Sequence, residues 1–144
     1  MRLSVLIALF FFLLFMGILG FAPVHLSEHI NDKVLHFFVF FILSMLLYFL
    51  WDLSIKLNTI LASSILIIIA TGSELIQGLL PYRTFDLYDI LSNILGGLLG
   101  VSLSALSQYS LTQYRVKKRM SGGRKEAESQ MALMDFTEDD EEFV

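Results

Sequence analysis

Four apolar runs, each about as long as a hydrocarbon core is thick, fill the chain from Leu3 to Leu106. A bilayer core of about 30 Å takes roughly 20 residues of helix at about 1.5 Å each. Leu3–Val24 carries no charge, and Val34–Trp51 is interrupted by His36 near its start. Thr59–Leu80 holds Glu74 and Gln77, and Leu87–Leu106 holds Asp89 and Asn93 in its first turns. The links between them, His25–Lys33, Asp52–Leu57 and Pro81–Asp86, are short, which makes sequential helices antiparallel neighbours. Helices also satisfy their own backbone polar groups, which hydrocarbon demands. The pattern therefore predicts an all-α, polytopic membrane protein, a four-transmembrane-helix bundle with a disordered, charged C-terminal tail.

Arg2 followed by an apolar run and Gly20-Phe21-Ala22 is also the outline of a signal peptide. The run exceeds the usual signal core of about 7–15 residues, and Pro23 is awkwardly placed for a peptidase. A retained first helix is the expectation.

Beyond the fourth run the character changes, giving a transmembrane domain at 1–110 and a tail at 111–144. Arg115, Lys117, Lys118, Arg119, Arg124 and Lys125 make the tail basic at its start, and Asp135 to Glu142 make it acidic at its end. Gly122-Gly123 is expected to stop any helix running on from the fourth span, with disorder beyond Met120. The basic cluster suits anionic headgroups.

Composition supports this division. The chain is 56% hydrophobic and 17% charged, with a mean hydropathy of +0.70, against about 45–50% and about 25% for soluble domains. There is no cysteine, which excludes disulfides and thiolate chemistry. The expected partners are membrane lipids, with no nucleic acid, a cytoplasmic protein through the tail, and a second copy of the chain. No cofactor is specified. Basic residues flanking a span are held on the cytoplasmic side, so the cluster after the fourth helix places both termini in the cytoplasm, in agreement with Arg2 and Lys56. The membrane, plasma or internal, is not specified.

That topology sends the remaining polar residues to one extracytoplasmic or luminal end. A charge inside a span costs about 2.5–3.5 kcal/mol on insertion scales, so each calls for a reason. Asp32, Lys33 and His36 open the second helix, Glu74 and Gln77 close the third, Arg83 and Asp86 lie in the loop, and Asp89 and Asn93 open the fourth. Asp32 and His36 are four apart, Glu74 and Gln77 three apart, and Asp86, Asp89 and Asn93 fall on one stripe that continues to Gly97, Gly100 and Ser104. Gly96 and Gly100 form a small-xxx-small pair that admits a close neighbour. Glu74, His36 and Asp89 are the candidate catalytic groups, and Arg83, Asp32, Lys33, Gln77, Asp86 and Asn93 the candidate substrate contacts. Arg83 is expected to pair with Glu74 or Asp86. Carboxylates with an imidazole can also take a divalent cation, although no metal site is assigned. The plainer account makes Asp86 an N-cap, Asp89 a partner of the helix dipole, Asp32 and Lys33 interface markers, and His25 and His29 loop residues.

At these residues the chain resembles the VanZ-like family of membrane proteins. Asp32-Lys33-Val34-Leu35-His36-Phe37-Phe38-Val39-Phe40 is similar to the family's D-K-x-x-H-F-x-x-F segment. Glu74 to Gln77, Arg83-Thr84-Phe85-Asp86, Asp89 and Asn93 to Gly96 follow its E-x-x-Q, R-x-x-D-x-x-D and N-x-x-G pattern in order. The resemblance implies a membrane fold over about Leu3 to Leu106. Its bacterial members are associated with low-level resistance to glycopeptides such as teicoplanin, and it implies no particular reaction here. Three functions compete: a site for a lipid headgroup or envelope glycolipid, a non-enzymatic scaffold or subunit whose polar cluster clamps the helices, and a small transporter, disfavoured because four helices are few and none is broken at mid-membrane. Whether the protein is an enzyme stays open at this point.

Overall fold

The computed structural model describes residues 1–21, 32–81 and 85–141. Among them are four helices and no strand: α1 Leu3–Phe21, α2 Asp32–Phe49, α3 Ile55–Gln77 and α4 Leu87–Glu141. Each is long and apolar enough to cross a membrane, as the hydropathy pattern predicts. The chain divides into two units, Met1–Ser107 and Gln108–Val144.

In the first unit the helices are sorted by how much polar surface they must hide. α1 has nineteen residues without a charge and is largely exposed in the protein alone; Val5, Leu6, Phe12 and Met16 pack partly against the core, and Leu9 is the one buried side chain among its described residues. A helix apolar all round suits lipid on most faces. Its start is fastened to the α2–α3 turn: the Arg2 amide donates to the Leu50 carbonyl at 3.0 Å, and Arg2 Nε meets Asp52 Oδ1 at 2.7 Å. That ion pair is half exposed and contributes about 0–1 kcal/mol.

α2 packs against both α1 and α3, burying Phe40, Leu43, Ser44, Leu47 and Tyr48. α3 buries a stripe of every fourth residue, Asn58, Ala62, Leu66, Ala70 and Glu74. It begins four residues before the expected Thr59 because Ser54 caps it, its hydroxyl accepting from the Leu57 amide at 3.4 Å. It ends three residues before Leu80, where Gly78 donates its amide to the Glu74 and Ile76 carbonyls. Apolar periodicity runs on past such caps, so it misplaces the ends.

Gly96 and Gly100 of α4 lie against the α2 backbone. A Cβ at Gly96 would strike the Phe37 carbonyl, and one at Gly100 would sit 2.5 Å from the Phe41 carbonyl oxygen. The small-xxx-small pair thus brings two main chains together, and Asn93 and Ser104 on the same stripe are fully buried.

The second unit corrects one expectation. Gly122-Gly123 does not stop the helix: α4 is continuous to Glu141. Every residue from Tyr109 to Met131 is exposed, and Arg124 pairs with Glu128 one turn on, at 2.9 Å. A glycine costs a helix about 1 kcal/mol relative to alanine, which local hydrogen bonding can absorb.

Candidate functional site

The end of the bundle where α2 and α4 begin and α3 finishes collects the polar side chains. Helix starts favour acids, because their first amides are unpaired and carry the positive end of the dipole. Asp32 opens α2 and Asp89 lies in the first turn of α4. Asp86 precedes α4 and caps it, accepting from the Tyr88 amide at 2.8 Å through Oδ1 and from the Asp89 amide at 3.1 Å through its carbonyl.

Lys33 joins these acids. Its Nζ donates to Asp86 Oδ2 at 2.6 Å and to Asp89 Oδ1 at 3.1 Å, and lies 5.6 Å from the centre of the Tyr88 ring. The lysine and Asp86 are 44% and 37% exposed, whereas Asp89 is 8% exposed. The pair therefore has a wet rim and a dry floor. The hydrogen bond from Lys33, aided by the Tyr88 amide, holds the Asp86 carboxyl below the usual aspartate value.

His36 lies one turn below. Its Nδ1 is 3.0 Å from Asn93 Oδ1, and its Nε2 is 4.0 Å from Asp32 Oδ1 and 3.9 Å from Asp89 Oδ2. The i,i+4 spacing of Asp32 and His36 thus does put them on one face. Asn93 is fully buried, and its Nδ2 has no partner.

Glu74 is 2% exposed. Its Oε1 accepts the Asp86 amide at 3.0 Å, which ties the end of α3 to the start of α4, and its Oε2 has no hydrogen-bond partner among the described residues. The expected pairing with Arg83 lies outside the described residues, as do His25 and His29. Gln77 goes elsewhere, its Nε2 lying 3.5 Å from the Gly20 carbonyl of α1. Gln77 nevertheless faces the cluster across a cavity of about 50 Å³, which is walled by Asp32, His36, Ser73 and apolar residues of α1 and α2. Such a space holds a few waters.

Sequence reasoning placed Lys33 among the candidate substrate contacts without foreseeing that it is the hub that joins Asp86 and Asp89 to α2. The signal was the even spacing of Asp86 and Asp89 opposite a lone basic residue. Of the buried polar residues farther along the bundle, Ser104 lies on the stripe already marked in the sequence, whereas Ser44, Tyr48 and Asn58 were missed because single hydroxyls and amides barely disturb hydropathy.

A family model described as VanZ/LLP1 matches residues 3–108. An uncharacterised protein of Schizosaccharomyces pombe is 48% identical over 89 residues, covering 61% of this chain and 54% of that one. The chain thus spans about half the length of this curated relative. No solved structure matches.

Proposed function

The chain belongs to the VanZ/LLP1 family, and from that membership and the geometry above we propose that the cluster is a site for the polar head of a membrane-borne lipid or glycolipid. The observation that carries this is Glu74, a carboxylate buried to 2% exposure with one oxygen unpartnered among the described residues. A bundle that needed only to be clamped gains nothing from such an oxygen, because unsatisfied buried polar groups cost stability. In this reading Glu74, His36 and Asp89 move protons or bind the reacting head. Lys33 and Arg83 offer positive charge to an anionic group, and Asp32, Gln77, Asp86 and Asn93 position it.

The membrane topology belongs to the same proposal. The basic run from Arg115 to Lys125 supports cytoplasmic termini, which assigns the cluster to the extracytoplasmic or luminal leaflet and the Arg2–Asp52 pair to the cytoplasmic one. Reporter tags at both ends check this; an extracytoplasmic signal from either reverses it. The tail, exposed on every face from Tyr109 to Met131, is a candidate handle for a cytoplasmic partner.

A second reading has its own observation. Lys33, Asp86 and Asp89 satisfy one another, as a helix clamp would. Untargeted lipid profiling separates the two. Cells lacking the protein are compared with cells carrying wild type or Glu74→Gln. A lipid change shared by the deletion and the variant supports the site; a variant that restores the wild-type profile leaves the clamp.

A further inference from the structure

We propose that Asp32, His36 and Asp89 bind one divalent cation of the zinc and manganese kind. This deepens the headgroup reading and rests on the cluster being a working site. One oxygen of each aspartate and one nitrogen of His36 lie within 4.8 Å of one another. Bond lengths of about 2.1 Å in a tetrahedral zinc site place ligand atoms about 3.4 Å apart, so closures of about 0.5 to at most about 1.4 Å between ligand atoms would complete the set. Rotamer adjustment supplies that much, and the ligands stand on the first turns of two helices held by backbone contact.

The ring of His36 is already arranged as a ligand. A metal-bound histidine hands its other N–H to an oxygen that fixes the ring, and Asn93 Oδ1 stands 3.0 Å from Nδ1. With the proton on Nδ1, the Nε2 lone pair faces two carboxylates at 3.9 and 4.0 Å. Lone pair against carboxylate is repulsive until a cation lies between them.

Asn93 provides an independent observation. It is fully buried, its carboxamide abuts the imidazole, and Nδ2 has no acceptor. With Oδ1 facing Nδ1, the orientation that leaves Nε2 open to a cation, the unpartnered atom is Nδ2. A buried polar atom one ring-width from the ligand set is thus left to be satisfied by something that enters, a polar group of the bound headgroup or a water. Charge points the same way. Asp32, Glu74, Asp86 and Asp89 meet at this end against Lys33 among the described residues, and counting Arg83 still leaves the acids in excess. Lys33 occupies Asp89 Oδ1, so it holds that carboxylate with Oδ2 turned toward His36. One imidazole and two carboxylates suit zinc or manganese better than calcium or copper. Three protein ligands leave a coordination position for a substrate oxygen, as in catalytic zinc sites.

The test is titration of the full chain in detergent with Co²⁺, read by visible absorption and checked with Zn²⁺ competition. The expected result is saturation at one ion per chain, loss of the signal in His36→Gln and Asp89→Asn, and retention in a His25→Ala, His29→Ala double variant. Should His36→Gln fail to fold, Asp32→Asn and the shift of the wild-type unfolding midpoint by Zn²⁺ read the same property. Absence of saturable binding, or binding that follows His25 and His29 instead, overturns the proposal and favours a proton on Nε2. Cation binding with an unchanged lipid profile leaves the cation site standing and removes the headgroup reading; a Glu74→Gln lipid change without cation binding does the reverse.

Discussion

Glu74 offers the sharpest perturbation, because its two oxygens have different surroundings. Oε1 accepts the Asp86 amide and Oε2 has no partner. Glu74→Gln keeps the acceptor and replaces Oε2 with a neutral –NH2 that finds no acceptor there either, so the burial penalty is eased and not removed. Easing it is worth up to about 2 kcal/mol, and a weaker hydrogen bond to the Asp86 amide returns about 1 kcal/mol. The variant should therefore lie within about 1 kcal/mol of wild-type stability. Glu74→Ala loses that hydrogen bond, about 1.5–3 kcal/mol, and opens a cavity where truncating a buried side chain costs about 2–5 kcal/mol. With the unpartnered oxygen gone as well, the middle values leave a net loss of about 4 kcal/mol. Unfolding in mixed SDS micelles, followed by the fluorescence of the single tryptophan, Trp51, reports both values. Trp51 packs against the core of the first unit, so its environment changes when the bundle opens. The two variants should differ by at least about 2 kcal/mol. A Glu74→Gln protein as unstable as Glu74→Ala would refute the reasoning, since Oε2 would then be contributing to the fold.

Gly96→Leu should drive its side chain into the Phe37 backbone, costing about 1–3 kcal/mol or more, whereas the same change at Gly122, where a Cβ meets nothing, should leave the unfolding midpoint within about 0.5 kcal/mol. Because the Asp86 carboxyl is held below its ordinary value by Lys33, its contribution is present above an unfolded aspartate value of about 3.9 and lost as pH falls through the lower folded value. The stability difference between wild type and Asp86→Asn should accordingly be flat from neutral pH down to about 4 and shrink below it, in thermal melts across that range. Amide hydrogens from Tyr109 to Met131 should exchange much faster than those of the α3 stripe, as mass spectrometry of peptides will show, because a helix without packed faces opens easily.

Much of the bundle was legible from hydropathy, because lipid penalises charge steeply enough that spans can be read by length. The shared face of Asp32 and His36 and the close approach at Gly96 and Gly100 were also legible, since helical periodicity and the size of a hydrogen atom are local facts. The hub role of Lys33 was not. Its partners lie more than fifty positions away, and only the pairing of α2 with α4 decides which acid it meets. Gln77 shares a face with Glu74 by spacing yet reaches toward α1, because three residues fall about 60° short of a full helical turn, and that offset turns the second side chain toward a different neighbour. The continuity of α4 through Gly122-Gly123 escaped notice for another reason: a propensity of about 1 kcal/mol per residue is a bias, not a stop.

The contrast between the two seams of α2 determines how the cavity can grow. Toward α4 the contact is main chain on main chain, with no side chain free to rotate out of the way, so α2 and α4 must travel as one body. Toward α1 the contact is apolar, and beside it on the cavity wall α3 reaches α1 through one long hydrogen bond from Gln77 to Gly20. Among the described residues no other polar contact ties α1 at that end, and a face swung outward there would meet acyl chains that suit it as well as protein does. A molecule reaching His36 by that route would come sideways out of the bilayer, tail still in hydrocarbon, and need never cross water.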